Sequence, residues 1–170
     1  SDICARYDER LRTADYADAD ASANGLQVGP EAATVERAAF AVDAAVETAE
    51  RAVEFDADLL VTHHGLVWGA LDDVTGQTYR RVAPLVENGI PLYVSHLPLD
   101  GHPDLGNAAG VADALDLAER ESFAEVAGEP VGLRGRCDPA SAATLRETLE
   151  REVGPEQGVR SFEFGPEEIA

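Results

Sequence analysis

The sequence contains no lysine: all 13 basic residues are arginine, set against 33 acidic residues in a chain of 170. This absence excludes a P-loop phosphate site, a Schiff-base lysine and a lysine general base. The formal net charge of −20 argues against generic binding to nucleic acid, which depends on neutralising phosphates. It argues equally against anionic membrane surfaces. No run approaches the roughly 18 apolar residues of a membrane span. Residues 1–12 alternate charged and apolar side chains and lack the basic start and apolar stretch of a signal peptide, so a cytoplasmic location is expected. Methionine is also missing, which implies a removed initiator or a piece of a longer chain. The only cysteines, Cys4 and Cys137, make neither a disulfide framework nor a C-x-x-C pair. They read as buried or idle thiols.

What is present points first to habitat. The acidity, the missing lysines and 29 alanines fit a halophilic, arginine-preferring protein whose acids form a solvated surface. At this length one domain, or one domain with a lobe, can bury a real core.

The pattern along the chain alternates strands with helices, so an α/β fold is expected. Ile3, Tyr7, Leu11 and Ala14 recur at helical spacing over 2–14. Residues 15–23 are small, acidic and irregular, and 24–30 read as turn, strand and turn. A strand over 36–42 stops at Asp43, a plausible N-cap for a helix over 44–55 with Val46, Ala49, Val53 and Ala57 on one face. Leu59 to Thr62 is a buried-type strand running into His63-His64-Gly65. A helix over 77–88 ends at Gly89, a strand over 90–95 leads into His96, and 104–116 reads as helix. Strand 130–136, helix 139–153 and strand 158–164 follow. Gly128-Glu129-Pro130 is the candidate boundary between a lobe of residues 1–127 and a second lobe of residues 128–170.

All four histidines lie between positions 63 and 102. His63 and His64 end one expected strand and His96 follows another, the edge at which open α/β sheets bind ligands. Neighbouring histidines on a strand face opposite ways, but in a turn two imidazoles can splay around a centre. In Ser95-His96-Leu97-Pro98-Leu99-Asp100-Gly101-His102-Pro103, two prolines and a glycine argue against a helix. In an extended chain His96, Asp100 and His102 share parity. Imidazole and carboxylate suit Zn, Fe, Mn, Ni or Co, and a carboxylate can bridge two ions. The plain alternative is four surface histidines in a polar loop. A Ser95/His96/Asp100 triad lacks the G-x-S-x-G elbow. Asp72-Asp73 is unremarkable among so many acids, Trp68 reads as a packing wall, and Asn24 and Gln27 read as turn formers.

Four stretches resemble the Nif-three-like dinuclear metal-centre family, also described as GTP cyclohydrolase 1 type 2 homologues. They are Asn24-Gly25-Leu26-Gln27-Val28-Gly29, Phe40-Ala41-Val42-Asp43, Asp58 to Gly65 with its paired histidines, and His96 to Pro103 with Gly106-Asn107. The resemblance implies a mixed sheet flanked by helices and a site for two divalent metal ions. By position it makes His63, His64 and Asp100 direct ligands, with His96 beside the metals as proton carrier or supporting residue, and it assigns His102 no definite role. It implies ring-shaped homohexamers and a small nucleotide-like substrate, hydrolysed with metal-activated water as nucleophile and His96 moving the proton. Family chains continue further and supply another histidine with a glutamate four residues on. Here no histidine follows His102, so the chain reads as an N-terminal portion or a shortened member. The alternatives are a non-enzymatic metal-binding assembly or regulatory protein, and a metal-free α/β domain.

Charge repulsion yields the first prediction. The Debye length falls from about 10 Å at 0.1 M salt to about 3 Å at 1 M. The melting temperature is therefore expected to rise as KCl is increased over that range, and a flat or falling Tm in a thermal scan would contradict a halophilic surface.

Overall fold

The computed structural model describes residues 2–30, 34–71, 73–154 and 158–170, so Asp72 of the acidic pair lies outside the described residues. Two compact units divide the chain, 1–99 and 100–170.

The first unit is built on a four-stranded mixed sheet in the order β1-β4-β3-β2, with β1 Gly25–Val28, β2 Ala38–Asp43, β3 Leu59–His64 and β4 Leu92–Val94. Strands β2, β3 and β4 are parallel, and β1 runs antiparallel to β4. Helix α2 (Val46–Glu54) joins β2 to β3, and α3 (Gly76–Glu87) joins β3 to β4, as parallel neighbours require a crossover. Strand alternation sorts the core onto two faces. Leu59 and Tyr93 pack with Cys4 of α1 (Asp2–Arg10). Leu60, Leu92 and Val94 pack on the other side with Ala49 and Ala52 of α2 and Leu85 of α3. A mixed sheet flanked by helices is thus the architecture.

Several boundaries differ from the sequence pattern for local reasons. Helix α1 ends at Arg10 because Arg12 adopts a left-handed φ of 54°, and a 3-10 turn, Thr13–Tyr16, follows. Asp43 is not an N-cap. It is the last residue of β2, and α2 is preceded by Ala45 with no side-chain cap. Strand β3 runs through both histidines rather than ending before them. The segment after β4 makes a single helical turn, α4 (Leu97–Asp100), despite its prolines. Pro98 sits in the first turn, where its missing N–H removes no helical bond. The shared parity of His96, Asp100 and His102 in an extended chain therefore does not apply.

The second unit contains α5 (Asn107–Ala114), the antiparallel hairpin β5 (Ala118–Val126) and β6 (Glu129–Arg136), and α6 (Ala142–Glu152). Gly128-Glu129-Pro130 is the hairpin's turn region: Val126 pairs with Glu129 across Ala127 and Gly128, both at positive φ, the geometry of a two-residue type I′ loop. Strand β5 carried no alternating signal because all nine of its residues are exposed. Helix α6 starts at a Ser141 cap, whose Oγ accepts from the Thr144 N–H at 3.1 Å, rather than at Pro139. Residues 158–164 form no strand. Phe162 and Phe164 are 79% and 94% exposed, and an alternating pattern becomes a strand only against a partner.

Tyr93 ties the sheet to α1. Its buried ring lies 5.3 Å from that of Tyr7, and its hydroxyl donates to Asp8 Oδ1 at 2.8 Å. Burial, reinforced by the Asp8 carboxylate, pushes the phenol well above its ordinary range, so the hydroxyl stays a donor at any working pH. Tyr93→Phe is expected to cost about 1–2 kcal/mol without altering the fold, measurable as a lower denaturation midpoint at unchanged slope.

Candidate metal centre

The parallel register assembles the centre at the carboxyl ends of β2, β3 and β4. Asp43 pairs with His64, and Thr62 pairs with Val94, so Ser95 and His96 emerge beside His63. The ring centroids of His63 and His64 are 4.6 Å apart, those of His63 and His96 5.0 Å, and those of His64 and His96 5.6 Å. Ligand atoms from all three lie within 4.8 Å of one another. Two nitrogens bound to one ion at about 2.0–2.1 Å sit at most about 4.2 Å apart, so small rotations suffice to gather them.

Each imidazole is oriented through Nδ1. His63 Nδ1 lies 2.9 Å from the Ser95 carbonyl oxygen, His64 Nδ1 2.7 Å from Asp43 Oδ1, and His96 Nδ1 2.9 Å from Asp20 Oδ1. With Nδ1–H donating to an oxygen in each case, Nε2 carries the lone pair. This is the arrangement that fixes tautomer and ring direction in histidine metal sites. The donor set thus fits a divalent ion of the Zn, Fe, Ni or Co type.

Asp20 is the residue that sequence reasoning missed. Its side chain is 2% exposed, yet the carboxylate is fully engaged. Besides His96 it accepts from Ser22 N–H at 2.8 Å, Asn24 Nδ2 at 2.8 Å and Leu97 N–H at 3.0 Å. Burial raises its pKa, but the donors from Asn24, Ser22, His96 and Leu97 together outweigh that and hold the group below the ordinary carboxylate value. The only sequence signal was Asp20 two residues before Ser22, an Asx-turn spacing inside an acidic, irregular stretch.

Asn24 and Gln27 do more than form turns. Asn24 Oδ1 accepts from the His96 N–H at 2.7 Å. Gln27 Oε1 accepts from the Leu66 N–H at 2.7 Å, and its Nε2 donates to the Ala23 carbonyl at 2.6 Å. A Cβ at position 65 would press on the Gln27 carboxamide, so a larger residue there would displace the side chain that holds Leu66 and Ala23. Trp68 is the expected wall, its ring 4.9 Å from that of His96 in an edge-on contact.

The remaining candidates lie in the second unit. Asp100 accepts from Asn107 Nδ2 at 2.6 Å. His102 Nδ1 accepts from the N–H groups of Asp104 and Leu105, both at 3.1 Å, capping its own turn. Ser95 Oγ is buried with no hydrogen-bond partner, so it is not hydrogen-bonded to a histidine as a Ser-His-Asp triad requires. Cys4 and Cys137 are not joined in a disulfide. Among the described residues, no helix is long and apolar enough to cross a membrane.

Fold and site together define an α/β protein with a metal-capable histidine cluster at the carboxyl edge of a mixed sheet. The model of the Duf34/NIF3 family (NGG1p interacting factor 3) matches residues 1–170, and the chain belongs to that family. A GTP cyclohydrolase 1 type 2 homolog of Halobacterium salinarum is 53% identical over 99% of this chain and 67% of its own length. The Pyrococcus abyssi protein of the same name is 40% identical over 99% of this chain and 66% of its own. Among solved structures, the protein ybgI, described as of unknown function, superposes with a TM-score of 0.82 at 32% identity, over 98% of this chain and 65% of its own. A Thermus thermophilus protein gives 0.77 at 34% identity, over 88% and 59%. The chain spans about two thirds of the length of the curated relatives it matches.

If Asp20 orients His96, Asp20→Asn should weaken metal affinity about 10- to 100-fold while the fold is kept. Competition against a chromogenic chelator measures this, and unchanged affinity would show that the Asp20–His96 bond is structural only.

Proposed function

We propose that the protein is a metal-dependent hydrolase acting on a small nucleotide-like substrate. The observation that carries this reading is the set of three imidazoles whose Nδ1 atoms are all engaged, leaving the Nε2 atoms to share a centre. His63 and His64, on the end of β3, are the paired ligands, and His96 joins them from the segment after β4. A divalent ion held by these residues would supply Lewis acidity and lower the pKa of water at the centre toward neutrality.

The protein's own groups do the rest. Asp43 and Asp20 hold His64 and His96 in one tautomer and balance positive charge at the centre. Where His96 stands beside the ion rather than on it, Asp20 holds its Nδ1 and its Nε2 is left to hand on a proton. Trp68 covers one side of the centre and limits water access. The proposal extends to a pair of ions with Asp100 as a further ligand, and to hexameric assembly in the cytoplasm. Family resemblance supports both.

Elemental analysis of protein purified in high salt without chelator tests the reading. The unaltered protein is expected to carry divalent metal, and His64→Ala to lose it together with any nucleotide-hydrolysing activity. Full metal retention in His64→Ala would sink the assignment.

A further inference from the structure

A pocket of about 470 Å³ opens beside the histidine centre, lined in part by Asp43, His64, Trp68 and Arg81. The volume falls in the range of small-molecule sites, about 300–1,000 Å³. Two of its walls are unusual for this chain. Arg81, on α3, forms no ion pair with any described residue, although most of its fellow arginines do. Its Nε is buried without a hydrogen-bond partner. What sets Arg81 apart from the other described arginines without an ion pair is this buried, unpartnered Nε. A half-buried guanidinium with an unmet donor is suited to an oxyanion, which it grips with a planar fork. The carboxylate that shares the pocket, Asp43, is committed to His64.

The second wall is Trp68, 48% exposed. It is held in place by a bridge to Ser22 and by the Gly69 N–H donating to the Ala21 carbonyl at 2.7 Å. Its ring meets that of His96 at a steep angle, and nearly half of the residue remains open to solvent. An indole offered in this way stacks planar heterocycles with little preference among them.

We propose that this pocket recognises a nucleoside phosphate by two contacts, the base on Trp68 and the phosphate on Arg81. The pocket thereby delivers the base or the ester to the histidine centre. This rests on the reading of the cluster as a hydrolytic metal site and adds the residues that select the substrate. Both contacts belong to the first compact unit, so the recognition site is complete within residues 1–99.

Trp68 is the only tryptophan, so its fluorescence reports on the pocket directly. GMP, guanosine and inorganic phosphate are titrated into the metal-loaded protein, with calorimetry for the variants. GMP is expected to change Trp68 emission saturably and to bind at least about tenfold more tightly than guanosine. Arg81→Gln should bring GMP down to the affinity of guanosine and leave guanosine within about twofold. Arg81→Lys should retain part of the difference. Trp68→Leu should weaken GMP and guanosine alike. Metal content and circular dichroism of Arg81→Gln check that centre and fold are intact. GMP affinity unchanged by Arg81→Gln, guanosine equal to GMP, or no GMP binding to the unaltered protein would each overturn the proposal. Protein that binds GMP through Arg81 but hydrolyses no nucleotide keeps this inference and loses the hydrolase reading. Hydrolysis with an unchanged KM in Arg81→Gln does the reverse.

Discussion

The buried carboxylate of Asp20 is the interaction on which the centre depends. Sequestering an isolated ionised carboxylate is costly, and here the cost is met by donors from four residues, Ser22, Asn24, His96 and Leu97. Two of those donors belong to the loop after the 3-10 turn, and two to the segment leaving β4. The charge therefore does what no apolar contact could do. It binds an irregular acidic stretch to the end of a core strand, and it requires both to adopt one arrangement. From that arrangement follow the position of Asn24 against the His96 backbone, the course of the loop past residues 67–69, and the direction of the His96 ring.

The other half of the centre follows from parallel pairing. Register sets Asp43 opposite His64 and leaves Ser95 next to His63, so an acceptor for each Nδ1 arrives with the sheet rather than with a dedicated loop. Neighbouring side chains on a strand face opposite ways, which on its own would separate His63 from His64. At the strand's end each ring turns toward a different neighbour, one to the β4 side and the other to the β2 side. Their centroids stay 4.6 Å apart, and both can address one centre. Gly65 follows directly, packed against the Gln27 carboxamide.

How much of this was legible in the sequence depends on the range of the interaction. The apolar runs Leu59 to Val61 and Ile90 to Val94 announced core strands. The histidines at their ends announced the chemistry, because both signals are local. Asp20 was barely legible: within ten residues only its spacing to Ser22 sets it apart from Asp15 or Asp18, and its partners His96 and Leu97 lie 76 and 77 positions away. Asp43 was misread as a helix cap because an aspartate before a helix is an ordinary cap, whereas its actual partner is set by strand register. Strand β5 was missed for the opposite reason. With every residue exposed it has no hydrophobic period, and it forms because its turn, Ala127-Gly128, suits a hairpin and β6 is in reach.

The extreme charge and the centre answer to different electrostatics. The ion pairs at the surface, such as Arg12–Asp15, Arg51–Glu47 and Arg134–Glu121, join exposed side chains, are individually worth little, and weaken as salt is added. Repulsion among the excess carboxylates weakens with them, so concentrated salt removes more destabilisation than stabilisation. Asp20 is shielded from that solvent, and its bonds to His96 and Leu97 do not pass through it. A chain of this composition can therefore let its surface be governed by the ionic medium, provided that the charges which orient its histidines are placed where the medium does not reach. The fold meets that condition for the carboxylate at His96. It meets it less fully at His64, whose partner Asp43 is 66% exposed, and the side of the centre facing the pocket is accordingly the side open to a charged ligand.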